Sequence, residues 1–303
     1  MKKALTAIAA LVVVLVIGQG VLQWVQQGNM SGEGLLPAPE PEIVQPAHCP
    51  NVELIAAPGT WESSIDDDPF APHTRDNALL LQVTQPIRER FNEHDLKVWT
   101  LPYSAQFKNV NALEQLSYDD SRNEGAQRLE QELREVHAEC PLTDFILVGF
   151  SQGAVIVGDL ANEIGTGKLD IPEERIRGVA LIADGRREPG VGQAIGTPIG
   201  GVGAEIALAP LSFVIQAVVP GASMRGPREG GFGTLHDRVM DICAPNDSIC
   251  DAPNNVSNAL GRAEALITAN GVHAQYATNP DVIPGTTATA WVLQWATDLT
   301  AAG

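Results

Sequence analysis

The sequence predicts an α/β fold in which a central, mostly parallel sheet is flanked by helices on both faces. Two observations carry this. Apolar runs at residues 52–57, 145–150 and 176–183 read as short strands, and the run at 145–150 has no polar alternation, as a strand buried on both faces should. Between them lie segments whose apolar residues recur at helical spacing, and strands alternating with helices imply a parallel sheet.

The elements follow in order. Residues 52–57 supply the first strand. Residues 77–91 form a helical stretch with Leu80, Val83, Ile87 and Phe91 on one face. Pro86 should kink it or end its first part, because proline lacks the N–H and crowds the preceding turn. Residues 96–102 are extended. Residues 121–138 are an amphipathic helix whose stripe is Ala126, Leu129, Leu133 and Val136. The strand at 145–150 leads into a helix at 154–164, and 176–183 is a further strand. Helices at 258–269 and 288–300 close the chain. No internal repeat is present.

Residues 185–233 break the rhythm. They are rich in glycine and proline, with one apolar island at 206–219. An irregular excursion inside a compact domain is usually functional or disordered. Ile206, Leu208, Leu211, Phe213, Val214, Ile215, Val218 and Val219 suit an acyl-binding groove, a surface resting on a bilayer, or a helix covering the sheet.

The chain begins Met1–Lys2–Lys3, followed by an apolar run from Ala4 to Ile17 and a mixed stretch through Val25, 22 residues together, with Gln19 and Gln23 weakening the far end. Lysines ahead of an apolar core mark an export signal, and about 20 residues suffice to span a bilayer. Residues 1–25 are therefore expected to be a signal or retained membrane anchor. Gly18–Gln19–Gly20 is the one candidate cleavage site. Residues 26–48 contain glycines and four prolines (Pro37, Pro39, Pro41, Pro46) and read as a tether. The folded domain is expected at 49–303. This organisation predicts an exported protein held at the outer face of the membrane or in the cell envelope, or secreted if the segment is cleaved.

Four cysteines, Cys49, Cys140, Cys243 and Cys250, agree with export. No C-x-x-C pair suggests a metal or redox site. Four cysteines allow three pairings. Cys243 and Cys250 are close enough to clamp a local loop, which leaves Cys49 with Cys140. The formal charge is 19 − 37 = −18. A chain this acidic will not track a phosphate backbone, which argues against nucleic acid as a partner. The fragment Gly165–Thr166–Gly167–Lys168 lacks phosphate-loop spacing. No cofactor, metal or protein partner is indicated.

Gly149–Phe150–Ser151–Gln152–Gly153 fits G-x-S-x-G, the nucleophile elbow. A serine on a tight strand-to-helix turn is crowded by its neighbours, and glycines two before and two after relieve that crowding. The turn lifts the hydroxyl above the sheet and aims the Gln152 N–H, at a helix N-terminus, toward a developing oxyanion. The motif lies between a strand pattern and a helix pattern, as it must.

A serine nucleophile needs a base, and the base an orienting acid. In α/β-hydrolases the order is Ser, acid, His. Of six histidines only His236 and His273 follow Ser151; His273, after a helix pattern and Gly271, is favoured. Asp247 stands out as the acid because a Cys243–Cys250 disulfide would hold it rigidly, although Asn–Asp–Ser is also an ordinary turn sequence. Asp184, at a strand end, is the rival.

Together these motifs resemble the cutinase family of serine esterases. The family's nucleophile string resembles Gly149–Gly153. Its acid string, a Cys, three residues, Asp, one residue, an aliphatic and Cys, resembles Cys243 to Cys250; its histidine, three before a tyrosine, resembles His273 and Tyr276. The resemblance covers the folded part. It implies the α/β-hydrolase fold, a triad of Ser151, Asp247 and His273, and disulfides Cys49–Cys140 and Cys243–Cys250. It implies a second oxyanion donor at Thr60, beside Gln152; Pro58 stands where the family usually has arginine. The strings at 58–63, 181–187 and 230–233 are similar to a membrane-anchored envelope branch from mycolic-acid-producing actinobacteria. That likeness implies phospholipase A or thioesterase activity on lipid-like acyl esters, with a lipid or acyl chain as the partner. A secreted polyester esterase, an envelope acyltransferase and a non-catalytic lipid-binding protein are the competing readings.

Overall fold

The apolar runs pair side by side as parallel strands. A computed structural model describes residues 44–254, 261 and 271–302. The expected anchor at 1–25, the tether up to residue 43 and all but Gly261 of the helix expected at 258–269 lie outside those residues. Among the described residues no helix is long and apolar enough to cross a membrane.

The strands are β1 (Val52–Ala57), β2 (Leu96–Thr100), β3 (Asp144–Phe150), β4 (Ile176–Ile182), β5 (Gln193–Ile195) and β6 (Val239–Ile242). They form one sheet in the order β2-β1-β3-β4-β6-β5, every pairing parallel. The helices are α1 (Leu81–Arg88), α2 (Tyr118–Glu139), α3 (Gln152–Gly165), α4 (Ala204–Leu208), α5 (Ser212–Val218) and α6 (Ala288–Ala301).

Side chains alternate across a strand, so the sheet divides two cores. Leu54 and Ala56 of β1 and Ile146 and Val148 of β3 pack with Val83 and Ile87 of α1 and Val292 and Ala296 of α6. The intervening Ile55, Ala57, Phe145 and Leu147 pack with Leu129 and Leu133 of α2 and Ile156 and Leu160 of α3. This gives the three layers that the sequence predicts.

Helix ends differ from expectation for local reasons. α2 begins at Tyr118 because Ser117 caps it, its hydroxyl accepting from the Asp120 N–H, with Asp119 and Asp120 favouring the positive end. α1 is shorter than the 77–91 periodicity suggests; it carries Pro86 inside and ends at Arg88. β5 and β6, of three and four residues, are too short for periodicity to reveal.

The excursion at 185–233 holds β5, α4 and α5, and ionic contacts fasten it to α3. Asp159 of α3 accepts from Arg186 Nη1 at 2.8 Å, Arg225 Nη1 at 2.5 Å and Arg228 Nε at 2.8 Å. Arg228 also grips Asp184, and Arg225 grips Glu205. Of the apolar island, Leu208, Ile215 and Val219 are buried with Phe107, Tyr118 and Met224, whereas Phe213 is 75% exposed.

Candidate active site

Ser151 sits between β3 and α3 with φ 55° and ψ −118°, a backbone conformation that few side chains tolerate and that often marks a functional turn. The flanking glycines are required by contact. A Cβ on Gly149 would lie 2.5 Å from the Gly153 carbonyl oxygen, and one on Gly153 would run into the Ala57 carbonyl. Only glycine lets α3 rise this close to β1.

Three polar side chains then meet. Ser151 Oγ lies 2.9 Å from His273 Nε2. His273 Nδ1 lies 2.9 Å from Asp247 Oδ2 and 3.2 Å from Oδ1. The Phe150 ring stacks on the imidazole at 5.2 Å between centroids. Nδ1 facing the carboxylate leaves Nε2 as the acceptor for a serine proton.

Asp247 follows β6 in the loop closed by the Cys243–Cys250 disulfide; the second disulfide joins Cys49 to Cys140. Its side chain is fully buried but well partnered: Ile249 N–H donates to Oδ1 at 2.9 Å and the Tyr276 hydroxyl to Oδ2 at 2.7 Å. Burial pushes the carboxyl up, yet the His273 hydrogen bond and charge, with Tyr276 and Ile249, outweigh it and hold the group below its ordinary range. Tyr276 in turn accepts from the Ala244 N–H at 2.9 Å.

Thr60 follows β1 in a loop stapled from two sides. Glu62 accepts from the Gly59 N–H at 3.1 Å and the Leu79 N–H at 2.9 Å, bracketing Thr60. Burial raises the Glu62 carboxyl, against the lowering pull of those two N–H groups, Arg75 and His273. The Tyr103 hydroxyl reaches the Pro58 carbonyl at 2.7 Å and Gln152 Oε1 at 3.2 Å. Tyr103 thus links the Thr60 loop to the residue after the serine. Gln152 opens α3, where helix N–H groups lack internal partners.

Thr60, Ser151, Gln152 and His273 line one cavity of about 440 Å³. Apolar lining comes from Phe107, Val155, Met224 and Ile249. The apolar island at 206–219 does not line it; Ala204, Glu205 and Met224 on either side do, with the island packed behind.

The alternatives left open by the sequence are placed elsewhere. His236 Nδ1 accepts from the Gly192 N–H at 3.2 Å, and Asp184 is bound by Arg228. Tyr103, Glu62 and the Tyr276 hydroxyl are supports that sequence reasoning missed. Only Tyr276 carried a signal, its spacing of three from His273.

The family model described as Cutinase matches residues 48–294. The chain is 57% identical to the carboxylesterase Culp6 homolog of Corynebacterium glutamicum, an alignment spanning 99% of each. It is 29% identical to a cutinase of Kineococcus radiotolerans over 54% of this chain and 42% of that one. Among solved structures, a cutinase-like protein from Cryptococcus sp. matches with TM-score 0.49 and 17% identity, covering 85% of this chain and 98% of that one.

Proposed function

The chain belongs to the cutinase family, whose members are ester hydrolases, and on that premise we propose that it cleaves lipid-like acyl esters or thioesters through an acyl-enzyme on Ser151. The observation that carries this reading is the hydrogen-bonded line Asp247–His273–Ser151 opening onto a cavity with an apolar wall.

Ser151 Oγ attacks the acyl carbonyl while His273 Nε2 takes its proton. Asp247 keeps Nδ1 protonated and stabilises the imidazolium that forms. The N–H groups of Gln152 and Thr60 receive the oxyanion. His273 returns the proton to the leaving oxygen or sulfur, and water repeats the sequence to release the acid. The 1–25 segment would hold the enzyme at a membrane, and two disulfides suit the oxidising side of it.

The test is hydrolysis of esters of graded acyl length by the full chain in detergent, beside Ser151→Ala, with fluorophosphonate labelling. Activity rising with chain length and absent in the variant is the expected result. An unlabelled, inactive wild-type protein would overturn the reading in favour of lipid binding without catalysis.

A further inference from the structure

One residue of the acid loop belongs to both the cavity and the triad. The Ile249 side chain lines the cavity beside Val155 and Gly185. Gly185 has no side chain to cover it: a Cβ there would lie 3.3 Å from Val155 Cγ2 and 3.8 Å from Ile249 Cγ2. The Ile249 N–H donates to Asp247 Oδ1 at 2.9 Å. The peptide that carries this apolar side chain therefore also holds the acid.

The loop is fastened on both sides of that peptide. The Ile249 carbonyl accepts from the Ala204 N–H at 2.8 Å, and Ala204 lines the cavity too. Asp251 accepts from the Gly201 and Asn246 N–H groups, each at 2.8 Å, and its own N–H reaches the Asp247 carbonyl at 2.8 Å. Val202 and Ala252 exchange two backbone bonds, and Cys250 is tied to Cys243. Within this frame the stretch 247–249 is held less completely. The Ser248 hydroxyl is buried and makes no hydrogen bond among the described residues. The Ile249 side chain is half-buried, with the cavity on one side.

We propose that Ile249 is a specificity residue that couples the acyl chain to the acid: a chain long enough to pack on its side chain steadies the peptide that orients Asp247, and so speeds attack by Ser151. This rests on the esterase reading and deepens it. A misplacement of about 1 Å in a reacting constellation can cost about 100-fold in rate. An apolar contact that only holds the substrate improves KM and leaves the chemical step alone. Contact at Ile249 differs from contact at Met224 on the same wall. Met224 donates its N–H to Ser212 Oγ and makes no hydrogen bond to the triad among the described residues.

The experiment uses the full chain, in detergent, as wild type, Ile249→Ala, Ile249→Val and Met224→Ala. Alkyl fluorophosphonates of graded chain length label Ser151: the Oγ–P bond forms, the P–F bond breaks, and the serine proton passes to His273 as fluoride leaves. Saturation kinetics separates KI, which reports holding, from kinact, which reports attack. Partition of the probe into micelles alters KI alone. Wild-type kinact is expected to rise about tenfold from the shortest chain to the longest, a size ordinary for coupling between two contacts. Ile249→Ala should flatten that rise, and Ile249→Val should keep most of it. Met224→Ala should raise KI for long chains and keep the rise in kinact. A wild-type kinact independent of chain length overturns the coupling. So does a rise that survives in Ile249→Ala, or one lost equally in Met224→Ala. Ester hydrolysis is measured in parallel. A wild type that is labelled yet hydrolyses no ester would sink the esterase reading instead, and kinact would still decide the role of Ile249.

Discussion

The Tyr276 hydroxyl donates to Asp247 Oδ2 at 2.7 Å while accepting from the Ala244 N–H at 2.9 Å. Burial and the Asp247 charge push the phenol well up, so it remains a donor. Tyr276→Phe removes one of the bonds that hold the acid and leaves the Ala244 N–H without its acceptor. It is expected to lower kcat about tenfold and stability by about 1–3 kcal/mol, the cost of an unsatisfied buried group. Steady-state kinetics and thermal melts check both; wild-type kcat in the variant would show that Tyr276 only fills space.

Asp247→Asn preserves shape and removes the charge. The imidazole can then turn the wrong tautomer toward Ser151, and kcat should fall about 10³–10⁴-fold with little change in KM. A loss below tenfold would point to a different acid.

Glu62 brackets Thr60 by its bonds to Gly59 and Leu79. Glu62→Ala frees the loop and should lower kcat about 10–100-fold, in the range of a lost oxyanion donor, leaving KM nearly unchanged. Glu62→Gln keeps a carbonyl acceptor for only one of the two N–H groups and should recover part of that loss.

Asp159 is pushed up by burial but pulled down further by Arg228, Arg225 and Arg186, to about 2. Its folded value lies below its unfolded one, so its contribution is present above about pH 4 and is lost as pH falls toward 2. That contribution is of order 2 kcal/mol. Denaturant titrations between pH 5 and 2 should show wild-type stability falling in this window, and Asp159→Asn should flatten the fall.

The two disulfides should separate stability from activity. Cys49–Cys140 spans 91 positions and Cys243–Cys250 spans 7, so loop entropy gives about 4.5 and 2.5 kcal/mol respectively. Replacing the first pair with serine should lower Tm more; replacing the second should lower kcat more, by loosening Asp247.

The sequence singled out the three side chains that this structure brings within hydrogen-bond reach of one another. Gly149 to Gly153 marked Ser151, the proposed nucleophile, because its glycines answer to local crowding. Asp247 was marked by the flanking cysteines, and His273 by chain order. What sequence could not choose, His236 against His273 and Asp184 against Asp247, depended on where loops return over the sheet. Tyr103 was hidden because it acts across a long separation, reaching Gln152 over 49 positions, and the contact that occupies Asp184 comes from Arg228, 44 positions on. β5 and β6 were hidden by brevity.

Because every strand runs the same way, Thr60, Ser151 and Asp247 emerge in turn beyond the ends of β1, β3 and β6, on one rim. His273 reaches that rim only after the whole sheet has been laid down, and α6 then packs on the face that α1 began. Ser151, the proposed nucleophile, therefore comes more than a hundred positions before His273, its proposed base. On the proposed mechanism a truncated or half-folded chain has the serine without the means to activate it, so turnover would report completion of the fold.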